Sequence, residues 1–285
     1  MTHKDLFPEG LTGKALYDHL VANKKSIYAA KKAAIKFADN VFAPVGNLYV
    51  TDKGEMVDKA EPGQNFMEDT DDVIYRKTVI NTTNWFDSHW DVHIDGLFKK
   101  SVKENKDLYL CEQHSLTFRG IITDDVTASI KKMSWRDLGL DIDGTTEALM
   151  FHNKIEKDRN EFMFNLYRKN RVKNHSVGMR YIQLEMCINN PDYKEEYAAW
   201  QKYYDVIANK AEVDAIGMFF AITEAKVIEG SSVVKGSNIM TPTMPKESVE
   251  PKDEITGKQP DNSTADQPSQ FNLMDAIKST TFIKS

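Results

Sequence analysis

Serine and histidine are the side chains here whose chemistry suits nucleophilic catalysis. Ser176 lies in the stretch HSVGMRY, where apolar and polar residues alternate as in a strand. A serine hydroxyl is a weak nucleophile until a base takes its proton, so Ser176 needs a histidine. His175 cannot be that base, because adjacent side chains of a strand point to opposite faces of the sheet. His114, which closes the apolar run LYLCEQH, is the strongest candidate elsewhere in the chain.

The remaining histidines and one cysteine offer other chemistry. His89 and His93 are four residues apart in HWDVH, a spacing that suits two zinc ligands on a helix. No glutamate follows the first histidine, and the flanking residues are typical of turns and strands, so a zinc hydrolase using these two residues with His114 is a distant alternative. Cys111 is either a thiol nucleophile or, as is usual in an apolar strand, a small hydrophobic residue. His152, in an alternating strand, is expected to be exposed.

Composition and motifs exclude several functions. The chain has 37 basic and 43 acidic residues, and this balance argues against a dedicated nucleic-acid-binding protein. The phosphate-binding glycine motifs and the G-x-S-x-G motif of many hydrolases are absent, and we predict no cofactor and no metal. No apolar run is long enough for a signal peptide or a membrane span. The two cysteines lack metal or redox spacing, so we expect a soluble protein of a reducing, intracellular compartment.

The elements that must position these residues follow from periodicity. We predict an N-terminal region, residues 1–40, with one amphipathic helix over 12–39. Its basic face is expected to be solvated, or to dock on an acidic partner, and contains Lys24, Lys25, Lys31, Lys32 and Lys36. From residue 41 to 190 the pattern changes to short strands, one of them LGLDIDG, with a helix at 160–171 just before the serine strand.

The second half of the chain combines a helical insertion with a tail. Residues 191–212 are predicted to form a helix, inserted between strands, whose aromatic stripe belongs to the core or to an interface. The sheet then resumes in AIGMFFAITEAKVIEGSSVV, which ends the main domain, 41–240. Residues 241–270 are rich in proline and polar residues and are predicted to be a disordered linker. Residues 271–285 could form an amphipathic peptide that docks on a partner.

Four stretches, taken in order, resemble the tailed-phage prohead serine protease family over roughly residues 73 to 243. DSHWDVHIDGLFKKSV is similar to that family's D-x-x-x-D…G-x-F segment, and LYLCEQHSLTFRGII to its histidine strand. NRVKNHSVGMRY resembles its serine strand, and AITEAKVIEGSSVVKGSNIMTPT its closing strand. The family is similar in fold to herpesvirus assemblin. The resemblance therefore implies an α+β protein with a mainly antiparallel β-barrel core wrapped by helices.

The resemblance also implies a function. Such an endopeptidase acts in the host cytoplasm inside the immature phage head, where it cleaves the scaffold protein, the major capsid protein and itself. The linker 241–270 is a hypothetical self-cleavage region, and a homodimer is expected by analogy with assemblin. The alternative is a catalytically silent virion protein of the same fold that binds scaffold or capsid partners.

Carried over residue by residue, the resemblance makes Ser176 the nucleophile and His114 the base. Glu229, two positions before a serine, best matches the acid that orients the histidine, and Glu224 is its rival. Because these two glutamates are five residues apart, only one of them can face His114 in a regular strand. Backbone amides in a loop after Glu229 are expected to form the oxyanion hole.

Overall fold

The computed structural model describes residues 10–39, 69–105 and 107–234, together with the backbone of four two-residue strands between residues 45 and 66. These residues belong to one compact unit of mixed α+β structure, which confirms the predicted class. The α-helices of this part are α1 (Gly13–Ala22), α2 (Lys24–Ala33), α3 (Lys99–Glu104), α4 (Glu161–Arg168), α5 (Lys194–Tyr203) and α6 (Lys210–Ile216). None of the described helices is long and apolar enough to cross a membrane.

The strands alternate with these helices along the chain. They are β1 (Lys36–Asp39), β2 (Val45–Gly46), β3 (Tyr49–Val50), β4 (Met56–Val57), β5 (Asn65–Phe66), β6 (Val73–Thr82), β7 (Asp91–His93), β8 (Leu110–Glu112), β9 (Ile121–Thr123), β10 (Val126–Ser134), β11 (Thr145–Glu156), β12 (Asn174–Ile188) and β13 (Met218–Val233). Short 3₁₀ turns occupy Arg136–Leu138 and Tyr204–Val206.

Two open sheets contain most of these strands. The larger sheet has the order β1-β12-β13-β8-β9, and β7 pairs with the first part of β13. The second sheet has the order β10-β11-β6-β2, and a small third sheet has the order β4-β3-β5. Pairing is antiparallel except that β7 and β8 run parallel to β13. The described residues do not close either large sheet into a barrel, so the predicted barrel core is not confirmed.

Gly230 in β13 lets the two large sheets approach each other closely. A Cβ atom at this position would lie 2.7 Å from Cε2 of Phe151 in β11 and 3.0 Å from Cδ1 of Ile80 in β6. Both side chains are fully buried in the main core. One face of β13 is therefore fixed against the core.

The N-terminal region differs from the single predicted helix. Asn23 separates α1 from α2, and its backbone N–H and its side-chain Nδ2 both donate to the carbonyl of His19. The helix ends at Ala33, and Lys36–Asp39 forms an edge strand paired with β12. The prediction of a wholly solvated basic face is also wrong, because Lys31 is only 4% exposed.

Two other predicted elements also change. The expected strand LGLDIDG is instead the 3₁₀ turn at Arg136–Leu138 and the loop after it, where Gly139 and Gly144 both have positive φ. The expected helix at 191–212 is divided into α5, a 3₁₀ turn and α6. Its stripe packs within the chain, since Trp200 and Ile207 are buried in a core cluster. The predicted linker 241–270 and terminal peptide 271–285 lie outside the described residues.

Candidate active site

The β12–β13 hairpin brings the predicted serine and one predicted glutamate to the same face. Ser176 lies opposite Ser231, and Gly178 lies opposite Glu229. Side chains two residues apart in a strand share a face, as do those directly opposite each other on paired strands. The side chains of Ser176, Glu229 and Ser231 therefore project from one side of the sheet, with a gap at Gly178 between them.

His114 reaches this face from a tight turn after β8. Its Nδ1 lies 2.7 Å from Oε1 of Glu229. Its backbone N–H donates to Oγ of Ser231 over 2.9 Å. Gln113 and His114 have φ values of +45° and +60°, a left-handed conformation that non-glycine residues seldom adopt. The backbone is thus bent sharply where it presents the imidazole, as is common at functional sites.

Glu229 is held from two sides and is only 1% exposed. Oγ of Ser231 donates to its Oε2 over 2.5 Å, while its Oε1 faces His114. A carboxylate accepts from Nδ1–H and so selects the imidazole tautomer whose Nε2 carries the lone pair. This tautomer is the one that can take a proton from a serine hydroxyl.

Gly178 provides the space for that carboxylate. A Cβ atom at position 178 would overlap Oε1 of Glu229 and would lie 3.0 Å from its Cδ. The missing side chain at Gly178 therefore makes room for the side chain of Glu229. Glycine is needed at the third position of Ser-Val-Gly because any larger residue would collide with the carboxylate of Glu229.

Glu224, the rival acid, lies elsewhere. Its Oε1 accepts from Nζ of Lys100 over 3.2 Å, and its Oε2 accepts from Nε2 of Gln183 over 2.9 Å. The structure thus brings Glu229, and not Glu224, to His114. Register shifts between β12 and β13 separate the two glutamates, so counting along an ideal strand could not have ranked them.

Phe37 of β1 covers the imidazole from the other side. Phe37 pairs with Gly178, and its ring centroid lies 4.1 Å from that of His114. The imidazole is therefore bracketed by Phe37 and Glu229 across the gap at Gly178. Ser176 lies two residues before Gly178 in β12, which places it about 7 Å from Gly178 at the rise of an extended chain. The Ser176 residue is only 3% exposed.

His175 lies on the opposite face, as predicted. It is 1% exposed, and its Nε2 is 2.6 Å from the hydroxyl of Tyr167. That hydroxyl is also 2.6 Å from Oγ of Ser232. Burial in this apolar setting lowers the pKa of His175 to about 3. His175 is therefore a neutral, packed imidazole on the face away from Ser176.

The two histidines of HWDVH do not form a metal site. They are not on a helix, and His89 is exposed while His93 lies in the short strand β7. Both ring nitrogens of His93 are engaged, Nδ1 with Asn81 and Nε2 with Tyr181, each at 3.1 Å. No metal-binding cluster occurs among the residues that the structure describes.

His93 belongs instead to a buried polar chain that anchors α2. Nζ of Lys31 pairs with Oδ1 of Asp91, and Oδ2 of Asp91 accepts from the hydroxyl of Tyr181 over 3.0 Å. That hydroxyl contacts His93 in turn. Burial lowers the pKa of His93 to about 4, so it is neutral in this chain. The second aspartate of the D-x-x-x-D segment therefore stabilises the fold.

Two further side chains, Cys111 and His152, are buried. Burial argues against a thiol nucleophile at Cys111, and it contradicts the expected exposure of His152. Cys111 is fully buried, and burial raises the pKa of its thiol to about 12, so it is not a thiolate nucleophile. His152, expected to be exposed, is 4% exposed and contacts Oγ of Ser129 at 3.0 Å. Its strand β11 lies between two others, which the alternation of its residues did not reveal.

The structure has no loop directly after Glu229, where we expected the backbone amides of an oxyanion hole. The strand β13 instead continues to Val233. Two residues of the site were missed as participants: Ser231, which only its place two residues after Glu229 could have indicated, and Phe37, which was assigned to a helix.

Comparison of the chain with protein-family models, with curated proteins and with solved structures finds no match in any of the three.

Proposed function

We propose that this protein is a serine endopeptidase in which Ser176, His114 and Glu229 act as nucleophile, base and orienting acid. The observation that carries the proposal is the 2.7 Å contact between Nδ1 of His114 and Oε1 of Glu229, on the face of the hairpin from which Ser176 projects. A buried carboxylate behind an imidazole, with a serine on the same face, is the arrangement that serine hydrolases use.

In the proposed reaction, Nε2 of His114 takes the proton of the Ser176 hydroxyl as its oxygen attacks the peptide carbonyl. Glu229 stabilises the imidazolium that forms, and Ser231 keeps Glu229 in place. The imidazolium then gives its proton to the leaving amine, which leaves an acyl-enzyme. Water, activated by the same imidazole, hydrolyses the ester and restores Ser176.

The proposed substrates follow from the resemblance to prohead proteases. They are the scaffold protein and the major capsid protein of a tailed phage, cleaved in the host cytoplasm inside the immature head, together with segments of the chain itself. An assemblin-like core and a homodimer belong to the same proposal. The rival proposal is a silent virion protein, which the burial of Ser176 favours.

The decisive experiment incubates purified protein with its scaffold and capsid proteins and follows processing by gel and intact mass. We expect Ser176→Ala to abolish processing and labelling by a serine-directed fluorophosphonate. Ser232→Ala is the matched control, because Ser232 is an equally buried serine of the same hairpin that faces Tyr167. Equal processing by Ser176→Ala and the wild type would refute the proposed nucleophile, and a lack of processing in both would favour the silent protein.

The choice of acid is tested in the same assay. Glu229→Gln should lower the processing rate by several orders of magnitude, since an amide in place of the carboxylate no longer stabilises the imidazolium. Glu224→Gln is the control and should process substrates at the wild-type rate. The reverse result would identify Glu224 as the acid.

A further inference from the structure

The strand β1 occupies the side of β12 from which a substrate would have to reach the serine. Four residues of β1 pair antiparallel with residues 176–179, so that Phe37 lies opposite Gly178 and Asp39 opposite Ser176. β13 holds the other side of β12. A peptide that extends along β12 beside Ser176 can therefore bind only where β1 now lies.

The aromatic contact shows what β1 contributes at this position. The ring of Phe37 lies 4.1 Å from the imidazole of His114 and is tilted by 39° to it. Yet Phe37 remains 45% exposed, so the core does not hold its side chain. With Phe37 in place, the His114 side chain is 17% exposed and Ser176 only 3%.

Two more apolar side chains are exposed on the turn that carries His114. Leu116 is 47% exposed and Phe118 is 88% exposed. The turn itself is tight, because a Cβ atom at Gly120 would overlap Ser115. Exposed apolar residues on a rigid turn beside a covered nucleophile are typical of a surface that binds an apolar segment of another chain.

We propose that the position of β1 along β12 is the peptide-binding site of this enzyme, and that β1 fills it as an internal substitute for substrate. The inference rests on the proposed function. The occupant is an extended peptide, antiparallel to β12, that gains main-chain hydrogen bonds from that strand. Its register places one residue opposite Ser176 and a bulky apolar side chain, two residues earlier in the peptide, against His114. Substrates thus share an apolar residue at the position of Phe37.

The first measurement compares the wild-type chain with its Phe37→Ala variant. It follows the rate at which diethyl pyrocarbonate modifies His114, which is determined by mass spectrometry of the digested peptides. We expect Phe37→Ala to raise the modification rate of His114 about tenfold. This factor corresponds to the loss of about 1.4 kcal/mol of interaction free energy between the Phe37 ring and the imidazole. The rate at the exposed His89 should not change. Val206→Ala is the matched control, since Val206 is 47% exposed on a distant 3₁₀ turn, and Phe37→Tyr should behave as the wild type.

The second measurement adds a peptide to the Phe37→Ala variant. A peptide with the sequence AIKFAD, residues 34–39 of the chain, should protect His114 again. The same peptide with alanine in place of phenylalanine, AIKAAD, should not. Unchanged His114 reactivity in Phe37→Ala, or equal protection by both peptides, would overturn the inference.

Fluorophosphonate labelling separates this inference from the proposed function. If Phe37→Ala also speeds labelling of Ser176, and AIKFAD slows it again, both stand. If Ser176 is never labelled while AIKFAD still protects His114, the endopeptidase is refuted and the peptide-binding site remains.

Discussion

The substitution Gly178→Ala should break the contact between His114 and Glu229, although neither of these residues is itself replaced. The new Cβ overlaps Oε1 of Glu229 and lies 3.0 Å from Cδ. Recovering an ordinary separation of about 3.5 Å requires the carboxylate to move by about 1 Å. Such a shift extends the 2.7 Å contact with His114 beyond hydrogen-bond range.

The magnitude follows from what the shift removes. Losing one hydrogen bond to a buried carboxylate should lower the free energy of unfolding by about 1.5–3 kcal/mol, and the melting temperature by about 5 °C. If the protein is the proposed endopeptidase, the misplacement of a catalytic group by about 1 Å should lower kcat/KM by about 10²-fold.

Two assays test this reasoning. Proton NMR in cold water should show a low-field Nδ1–H signal of His114 in the wild type that is absent from Gly178→Ala, and the labelling rate of Ser176 should fall with it. Gly230→Ala is the control on the opposite face. It disturbs Phe151 in the core, so it should lower stability and yet keep the signal. A Gly178→Ala variant that keeps both the signal and the labelling rate would refute the described contact.

Three further predictions concern buried groups. Lys31→Met should lower the free energy of unfolding by about 3–5 kcal/mol in urea, because it leaves the Asp91 carboxylate buried without its cation, and adding Asp91→Asn should recover part of this loss. A double variant no more stable than the single one would contradict the pairing. Burial keeps His93 and His175 neutral in the folded state, whereas the unfolded chain binds protons below about pH 6.5. Stability should therefore fall as the pH falls from about 6.5 toward 4, by about 1.4 kcal/mol per pH unit for each histidine, and pH-independent stability in urea titrations over this window would refute the burial. Finally, Cys111 should resist iodoacetamide at pH 8 until the protein is unfolded, and fast alkylation of the native protein would contradict its raised pKa.

The site could be predicted from the sequence only where local alternation and order along the chain sufficed. The alternation in HSVGMRY correctly puts Ser176 and His175 on opposite faces. The choice between Glu229 and Glu224 depends on bulges in the β12–β13 ladder, which shift the register by a residue and are set by packing rather than by residue type.

The N-terminal region shows why long-range pairing escapes such reasoning. Lys36–Asp39 continues a run of good helix formers, yet it becomes a strand because β12, distant in sequence, offers it a pairing edge. In the same way, Lys31 resembles its solvated neighbours and is buried only because Asp91 lies beneath it. The strand at Lys36–Asp39 depends on β12, and the burial of Lys31 depends on Asp91. Both of these partners are distant in sequence, so a local residue pattern cannot reveal them.

The helical segment between β12 and β13, residues 189–217, offers a position where another protein could be inserted. Ser176 and Glu229 are 53 positions apart, but this segment leaves and rejoins the hairpin at the end opposite to them. Its two ends are joined there by a hydrogen bond from the Asn189 N–H to the Gly217 carbonyl, over 2.9 Å. A fluorescent protein or an affinity module inserted between the exposed residues Pro191 and Asp192 would lengthen the chain without altering the strand pairing at Ser176 and Glu229. This position is an attachment point for surface immobilisation or for a fluorescent reporter.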